Sequence, residues 1–268
     1  MSKGRFFLVG GGPAARTLGE PFMGVVIEAA GGSKSRLALI TAGSDDPADV
    51  NACYWEIFSA LGVKHIFSPK IFSRSDANER WVANSIADCN VVFIAGGAQA
   101  KLLDKIAGTL TEKAFKYVYE AGGILAGTSA GSSIYTCPVI VEGGTQNRHL
   151  RRGMIEVRRG FGIIEGLAID THCSSRGRLP RLVSLLIEQP GIQAIGIDED
   201  TALFIDENGV AEVLGYNAVY ILDAKNSTAA HDDVIEEDGH LCTSGITLHC
   251  LMNGDKYHIG LRRPCKSA

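Results

Sequence analysis

Short apolar runs that alternate with helical patterns are the feature that most restricts how this 268-residue chain can fold. Their spacing predicts a mainly parallel sheet with helices on both faces. The predicted strands of this part are Arg5–Gly10, Leu37–Ala42, Val63–Phe67, Val91–Ala95 and Gly123–Ala126. The predicted helices are Phe22–Ala30, Val50–Leu61, Asn78–Ala87, Leu102–Ala107 and Glu112–Ala121. Sheets of this kind carry their sites where strands end and loops begin.

The second half of the chain is less regular. Residues Ser132 to Arg159 show no clear period, and the apolar runs shorten from Leu203 onward. Four short runs predict antiparallel strands at an edge or in hairpins: Ala202–Asp206, Val219–Leu222, Gly245–Leu251 and Tyr257–Leu261. Because no repeat or low-complexity linker divides the chain, we assign residues 1–268 to a single α/β domain.

Composition narrows the class of protein. Hydrophobic residues make up 46% of the chain, enough for a sizeable core, and the net charge of −4 argues against binding to nucleic acid. No apolar run approaches the length of a membrane span, and Phe6–Val9 is too short for a signal peptide, so we expect a cytoplasmic protein. Seven cysteines without a CxxC pair predict reduced thiols, neither a disulfide framework nor a metal site.

The strongest chemical signal is Gly127-Thr128-Ser129-Ala130-Gly131, which directly follows the apolar run Ile124–Ala126. It fits the G-x-S-x-G nucleophile elbow, in which small flanking residues allow a sharp strand-to-helix turn. Ser129 is therefore a candidate nucleophile, and the Ala130 amide would face an oxyanion. The alternative is a glycine-rich turn with a capping serine.

Two further glycine turns follow predicted strands. Gly96-Gly97-Ala98-Gln99 could lie beside the elbow, where the Gly97 amide would be a second oxyanion donor and Gln99 could donate to substrate. The alternative is a tight strand-to-helix turn. Gly10-Gly11-Gly12 is a weak dinucleotide-binding signal, because no G-x-G-x-x-G continuation follows.

A histidine beside closely spaced arginines forms the third candidate block. Among the seven histidines, His172 is the best placed to act as the base for Ser129, since it ends an apolar run. The neighbouring Arg176, Arg178 and Arg181 offer bidentate grips for carboxylates, or form a solvated helix start. From Arg148 to Arg181, eight arginines against three acids give a net charge of +5, which predicts a focused field for an anionic ligand.

An acidic run, Asp198-Glu199-Asp200, follows the apolar segment Ala194–Ile197. Such runs are usually exposed turns, but one of these carboxylates could orient His172 as the third member of a catalytic triad. The residues alone do not choose among the three, and Asp170 and Glu142 stay open as well.

In this order the four blocks resemble the S51 serine peptidase family, and the arginine and acidic blocks resemble its cyanophycinase branch. The likeness runs from the Gly10-Gly11-Gly12 turn to Ala202. It implies a class I glutamine amidotransferase-like fold, no cofactor and usually a homodimer. It also implies hydrolysis of cyanophycin, a peptide polymer with a poly-aspartate backbone that bears arginine, to β-aspartyl-arginine dipeptides.

The resemblance assigns Ser129 as nucleophile, His172 as base and Glu199 as orienting acid. The family's substrate-binding positions fall at Gln99, Asp170, Thr171, Arg176, Arg178 and Arg181. The sequence departs from the family pattern at Thr171, where Gln is usual, and at Cys173-Ser174-Ser175, where Phe-Ser-Gln is usual. These shorter side chains predict a wider pocket. Alternatives are a related peptidase acting on other β-aspartyl or acidic short peptides, and a non-catalytic binding protein on the same scaffold.

Overall fold

Four β-sheets, of nine, four, two and two strands, and the helices that pack on them form the described part of the computed structural model, residues 3–12, 23–144, 150–229, 239 and 241–265. In these residues the helices are α1 (Met23–Ala29), α2 (Pro47–Ala60), α3 (Arg80–Ala87), α4 (Gln99–Ile106), α5 (Leu110–Glu120), α6 (Ala130–Ser133) and α7 (Leu179–Glu188). The strands are β1 (Arg5–Val9), β2 (Arg36–Ile40), β3 (His65–Phe67), β4 (Val91–Ile94), β5 (Ile124–Thr128), β6 (Val139–Gly143), β7 (Ile155–Arg158), β8 (Leu167–Thr171), β9 (Gln193–Ile197), β10 (Thr201–Ile205), β11 (Val210–Gly215), β12 (Val219–Asp223), β13 (Thr228–Ala229), β14 (Thr243–Ser244), β15 (Thr247–Leu251), β16 (Lys256–His258) and β17 (Arg263–Pro264).

The larger sheet has the strand order β17-β16-β11-β10-β1-β5-β4-β2-β3. The five strands from β1 to β3 run parallel, whereas β10, β11, β16 and β17 pair antiparallel beside β1. The prediction of a mainly parallel sheet with antiparallel strands near the C-terminus is confirmed.

Helices cover both faces of this sheet, as predicted. Along β1, Phe6 and Leu8 belong to the core on one face, and Phe7 and Val9 belong to the core on the other. Helices α1 and α2 supply the second core, whereas α3, α4 and α5 supply the first. Burying each large apolar side chain contributes about 1.5–3 kcal/mol, so this two-sided burial holds β1 at the centre of the sheet.

A second sheet, of order β15-β12-β9-β8, differs from the sequence-based expectation. The segments Val219–Leu222 and Gly245–Leu251, predicted as antiparallel strands at an edge or in hairpins, form β12 and β15. These strands do pair antiparallel with each other, but in this separate sheet, which the sequence did not predict. Strands β8, β9 and β12 are buried on both faces, whereas the edge strand β15 is largely exposed. Ile169 and Ile195 join the core shared with the large sheet, and the opposite face packs against α7. Local strand patterns carry no record of which strand pairs with which.

The segment from Ser132 to Arg159, which looked irregular in the sequence, contains the end of α6 and the antiparallel pair β6–β7. The register of this pair shifts between Ile140 and Glu142, and such a bulge breaks the two-residue alternation on which strand prediction depends. The first residue of the expected helix Phe22–Ala30 lies outside the described residues.

All seven cysteines are free thiols, in agreement with the sequence-based prediction. Among the described helices, none is long and apolar enough to cross a membrane.

Candidate active site

Ser129 sits in the sharp turn that the G-x-S-x-G pattern predicts. Strand β5 ends at Thr128, α6 begins at Ala130, and Ser129 between them has φ 53° and ψ −122°. Such a backbone conformation costs about 1–3 kcal/mol in a residue that is not glycine. The residues after the turn pack closely on β4: a Cβ atom at Gly131 would lie 2.0 Å from the carbonyl oxygen of Ile94, so there is room only for glycine.

The His172 ring lies between Ser129 and Glu199. Its Nε2 is 2.9 Å from Ser129 Oγ, and its Nδ1 is 2.6 Å from Glu199 Oε1. Strands β8 and β9 run parallel with Thr171 opposite Ile197, so the residues that follow these two strands emerge side by side. This pairing brings His172 and the acidic run together.

The other acids that the sequence left open contact different groups. Asp198 accepts hydrogen bonds from the backbone N of Ser174 at 2.7 Å and from its hydroxyl at 2.8 Å. Asp170 is bonded to arginine side chains, and Glu142 is exposed on β6. Among these acids, Glu199 is the one with a hydrogen bond to the imidazole.

The glycine turn after β1 joins three loops of the site. Three successive carbonyl oxygens each accept a backbone N–H: Val9 O from Ser129 at 3.0 Å, Gly10 O from His172 at 3.0 Å, and Gly11 O from Asp200 at 2.8 Å. The three donors all have a left-handed backbone, with φ of 52–53°. The weak dinucleotide signal at Gly10-Gly11-Gly12 thus marks the place where the site is assembled.

Gly11 leaves no room for a side chain. Its φ is +92°, and a Cβ atom there would lie 2.3 Å from Cε1 of the His172 ring. Sequence reasoning missed this role. The available signal was a run of three glycines after a buried strand, which indicates close approach by another group.

The electrostatic environment favours a neutral imidazole beside an ionised carboxylate. Burial lowers the pKa of His172, and the hydrogen bond that its Nδ1 donates to Glu199 offsets part of this shift. The hydrogen bond from His172 lowers the pKa of Glu199. At neutral pH the imidazole is therefore ready to accept a proton, while the carboxylate stays charged.

A cavity of about 410 Å³ opens in front of Ser129. Its lining residues are Gly11, Gly12, Ser44, Asp45, Asp46, Val50, Tyr54, Gly96, Gly97, Thr128, Ser129 and His172. Apart from His172, the charged residues of this lining are Asp45 and Asp46. The residues that line this cavity therefore do not produce the positive field that the sequence predicts for an anionic ligand.

Two of the three arginines are internal, which differs from the expectation that they grip substrate. Arg178 Nη1 lies 3.0 Å from Asp170 Oδ1, and Arg181 binds both oxygens of the same carboxylate at 2.5 Å. Arg178, Arg181 and Asp170 are 9%, 2% and 1% exposed, and Thr171 is fully buried. None of these four residues lines the cavity. Their positions give no support to direct contact with substrate.

The residues that depart from the family pattern do not line this cavity, and the wider pocket stays a prediction. Thr171 and Cys173 are buried away from the lining, and burial raises the pKa of the Cys173 thiol to about 12. Ser175 is exposed, and its hydroxyl donates to His172 O at 3.4 Å. Arg176 is also exposed, and its charge lowers the pKa of His172.

The remaining predicted site residues lie around the elbow. Gly97 lines the cavity, and Ala130 is fully buried at the start of α6. Gln99 begins α4, and its Nε2 donates to Ser133 Oγ at 3.4 Å. Within the described residues, no group of three or more His, Cys, Asp or Glu side chains is arranged to hold a metal ion.

Replacing Gly11 should separate His172 from Ser129. A methyl group in Gly11→Ala overlaps the imidazole, so we expect the rate at which a fluorophosphonate modifies Ser129 to fall by about 100-fold, as for a displacement of about 1 Å. Gly31→Ala is the matched control, because Gly31 has φ +104° and no neighbour within 4 Å of its Cβ position. Equal labelling rates in the two variants would contradict this account.

Comparison with known proteins identifies the family. The family model Peptidase family S51 matches residues 7–213. The cyanophycinase of Trichormus variabilis is 29% identical over 94% of this chain and 85% of its own length, and that of Synechococcus elongatus is 30% identical over 93% and 77%. A crystal structure of a peptidase from an acI-B1 Actinobacterium superposes with a TM-score of 0.71 at 23% identity, covering 96% of this chain and 97% of that one.

A putative peptidase E from Listeria monocytogenes gives a TM-score of 0.57 at 13% identity, over 80% of this chain and 100% of that one. At these identities the two solved structures support the fold alone, and their similarity to this chain agrees with the sheet and helices described above. The match of the family model to most of the chain goes further: this protein belongs to peptidase family S51.

Proposed function

We propose that this peptidase is a serine-type exopeptidase that degrades cyanophycin to β-aspartyl-arginine dipeptides. The observation that carries the proposal is the continuous contact from Ser129 Oγ through the His172 ring to Glu199 Oε1, at 2.9 and 2.6 Å. A nucleophile, a base and an orienting acid in this order form the arrangement that activates a serine hydroxyl for acyl transfer.

In the first step, His172 Nε2 takes the proton of Ser129 as the hydroxyl oxygen attacks the scissile carbonyl carbon. The resulting imidazolium donates from Nδ1 to Glu199, whose negative charge stabilises it. The lowered pKa of His172 keeps the imidazole neutral before the attack, so no proton has to be removed from it first.

In the second step, the tetrahedral intermediate collapses to an acyl-enzyme on Ser129, and His172 returns the proton to the leaving amine. We assign the Gly97 and Ala130 amides to the developing oxyanion, because Gly97 lines the cavity and Ala130 follows the nucleophile directly. Water then attacks the ester with His172 as base, which releases the acid product and restores the serine.

The relatives and the cavity support a substrate that bears arginine. The curated relatives cited above are cyanophycinases, at 29–30% identity. Asp45 and Asp46 line the cavity, where Asp45 pairs with Lys101 and Asp46 accepts from the backbone N of Asp49. We assign their remaining carboxylate oxygens to a guanidinium group of the substrate, and the exposed Arg176 to a carboxylate. This pairing favours cyanophycin over plain acidic peptides.

A cytoplasmic location, predicted from the sequence, and a homodimer, implied by the resemblance, remain predictions. Sedimentation analysis of the purified chain tests the second of these.

Removing the nucleophile should abolish turnover. We expect Ser129→Ala to lower the release of β-aspartyl-arginine from cyanophycin by ~10³-fold or more, because the acyl-enzyme is not formed. The variant should also resist labelling by a fluorophosphonate. Both can be followed by mass spectrometry.

Ser133→Ala is the control, since Ser133 lies in the same turn with its hydroxyl bonded to Ala130 O at 3.2 Å. It should still be labelled. Turnover by Ser129→Ala close to that of the wild type would contradict the serine mechanism. Faster cleavage of β-aspartyl peptides without arginine than of cyanophycin would contradict the substrate.

Neutralising the orienting acid should lower kcat and shift its pH dependence. The bond to Glu199 raises the pKa of His172, so Glu199→Gln should move the acidic limb of the kcat profile to lower pH. At neutral pH kcat should fall by ~10⁴-fold, the scale seen when a triad acid becomes an amide. Asp198→Asn, which leaves the imidazole bond intact, should have a much smaller effect. Equal losses in the two variants would overturn the assignment of Glu199.

A further inference from the structure

Arg178 is buried beside the proposed base without lining the cavity. Its side chain bonds the peptide group that precedes His172, and its backbone bonds the carbonyl of the residue that follows His172. Nη1 donates to Thr171 O at 2.9 Å, and the backbone N donates to Cys173 O at 2.7 Å. One residue thus fixes the chain immediately before and immediately after the histidine.

His172 needs such support because its backbone is strained. Its φ of 53° lies in the left-handed region, which residues other than glycine occupy only when their surroundings hold them there. The imidazole is joined to this backbone through two torsions. A small rotation of either flanking peptide therefore moves Nε2 relative to Ser129 Oγ, now 2.9 Å away.

Asp170 makes the buried cation of Arg178 tolerable and fixes its direction. Its carboxylate accepts from Arg178 Nη1, from Nε and Nη2 of Arg181, and from the backbone N of Thr171 at 2.9 Å. Arg181 Nη1 in turn donates to Gly143 O at 3.1 Å. These bonds hold Asp170 and Arg181 in one geometry. Arg178 is held through Nη1, since its Nε is buried with no hydrogen-bond partner among the described residues.

We propose that Arg178 is a positioning residue for the reaction proposed above: its guanidinium holds the peptide that precedes His172, its backbone holds Cys173 O, and together they set the imidazole between Ser129 and Glu199. Asp170 and Arg181 keep its guanidinium in place. The role of substrate carboxylate binding, which the sequence suggested for the whole arginine block, then falls to the exposed Arg176.

The charge of Arg178 also acts on the base. The charged groups that influence His172 are Glu199, which raises its pKa, and Arg176 and Arg178, which lower it, while burial has the largest effect. Removing the Arg178 cation therefore raises the pKa of His172. The acidic limb of the pH profile of kcat/KM then moves to higher pH, the opposite direction from Glu199→Gln.

The test compares Arg178→Met and Arg178→Lys in two assays. The first is the rate at which a small fluorophosphonate, with no carboxylate to bind, modifies Ser129; the second is kcat and KM on cyanophycin. For Arg178→Met we expect labelling and kcat to fall by about 100-fold, KM to change by less than about threefold, and the acidic limb to move to higher pH. Arg178→Lys keeps the cation, so it should recover part of the labelling rate and leave the limb in place.

Arg262→Met is the matched control, because Arg262 also bonds one carboxylate and one backbone carbonyl, Asp223 Oδ1 at 2.9 Å and Gly191 O at 2.6 Å. It should be labelled at the wild-type rate. Circular dichroism shows whether Arg178→Met folds. If it does not, the test uses the labelling rate of Arg178→Lys, which we expect to lie between the rates of the wild type and of Gly11→Ala.

A raised KM with unchanged kcat and labelling in the Arg178 variants would overturn the positioning role and restore substrate binding. A different outcome would contradict the proposed function: a wild-type chain that is not labelled at Ser129. Normal labelling of the wild type and of Arg178→Met alike would overturn the positioning role alone.

Discussion

The site depends on the approach of the turn after β1 to the loops that follow β5, β8 and β9. Successive carbonyls of Val9, Gly10 and Gly11 bond the backbones of Ser129, His172 and Asp200 at 2.8–3.0 Å. These three donors are among the few described residues other than glycine that have positive φ. A residue other than glycine with positive φ costs about 1–3 kcal/mol of backbone strain, and these bonds hold the three residues in that conformation. They thereby fix the two larger sheets relative to the loops that carry Ser129, His172 and Asp200.

Burial, rather than position in the sequence, decides which charged side chains of the arginine block are internal and which reach the surface. Asp170, Arg178 and Arg181 form an internal cluster, whereas Arg176 is exposed. A buried charge is tolerated only when it is paired and hydrogen-bonded, and the cluster meets this condition by bonding to the backbone around His172. The same cations that looked like a ligand-binding block thus stabilise the loop that carries the proposed base.

Much of the site was accessible from the sequence because its signals are local. The elbow at Ser129 follows from small residues after a buried strand, and His172 follows from its place at the end of an apolar run. The role of Gly11 and the internal position of Arg178 were not accessible in this way. Both depend on which distant segment of the chain packs against these residues, and the residues next to them in the sequence do not predict that segment.

The sequence by itself determined the alternation of strands and helices, the mainly parallel sheet and the sharp strand-to-helix turn at Ser129, since periodicity and glycine placement act over a few residues. The tertiary structure decided that β8, β9, β12 and β15 form a separate sheet, and that Glu199 rather than Asp198 meets the imidazole. The physical reason is that strand register and interior ion pairs arise from contacts between residues far apart in the chain. The parallel pairing of Thr171 with Ile197 places the loops of β8 and β9 side by side, and within those loops Asp198 bonds Ser174 while Glu199 reaches His172.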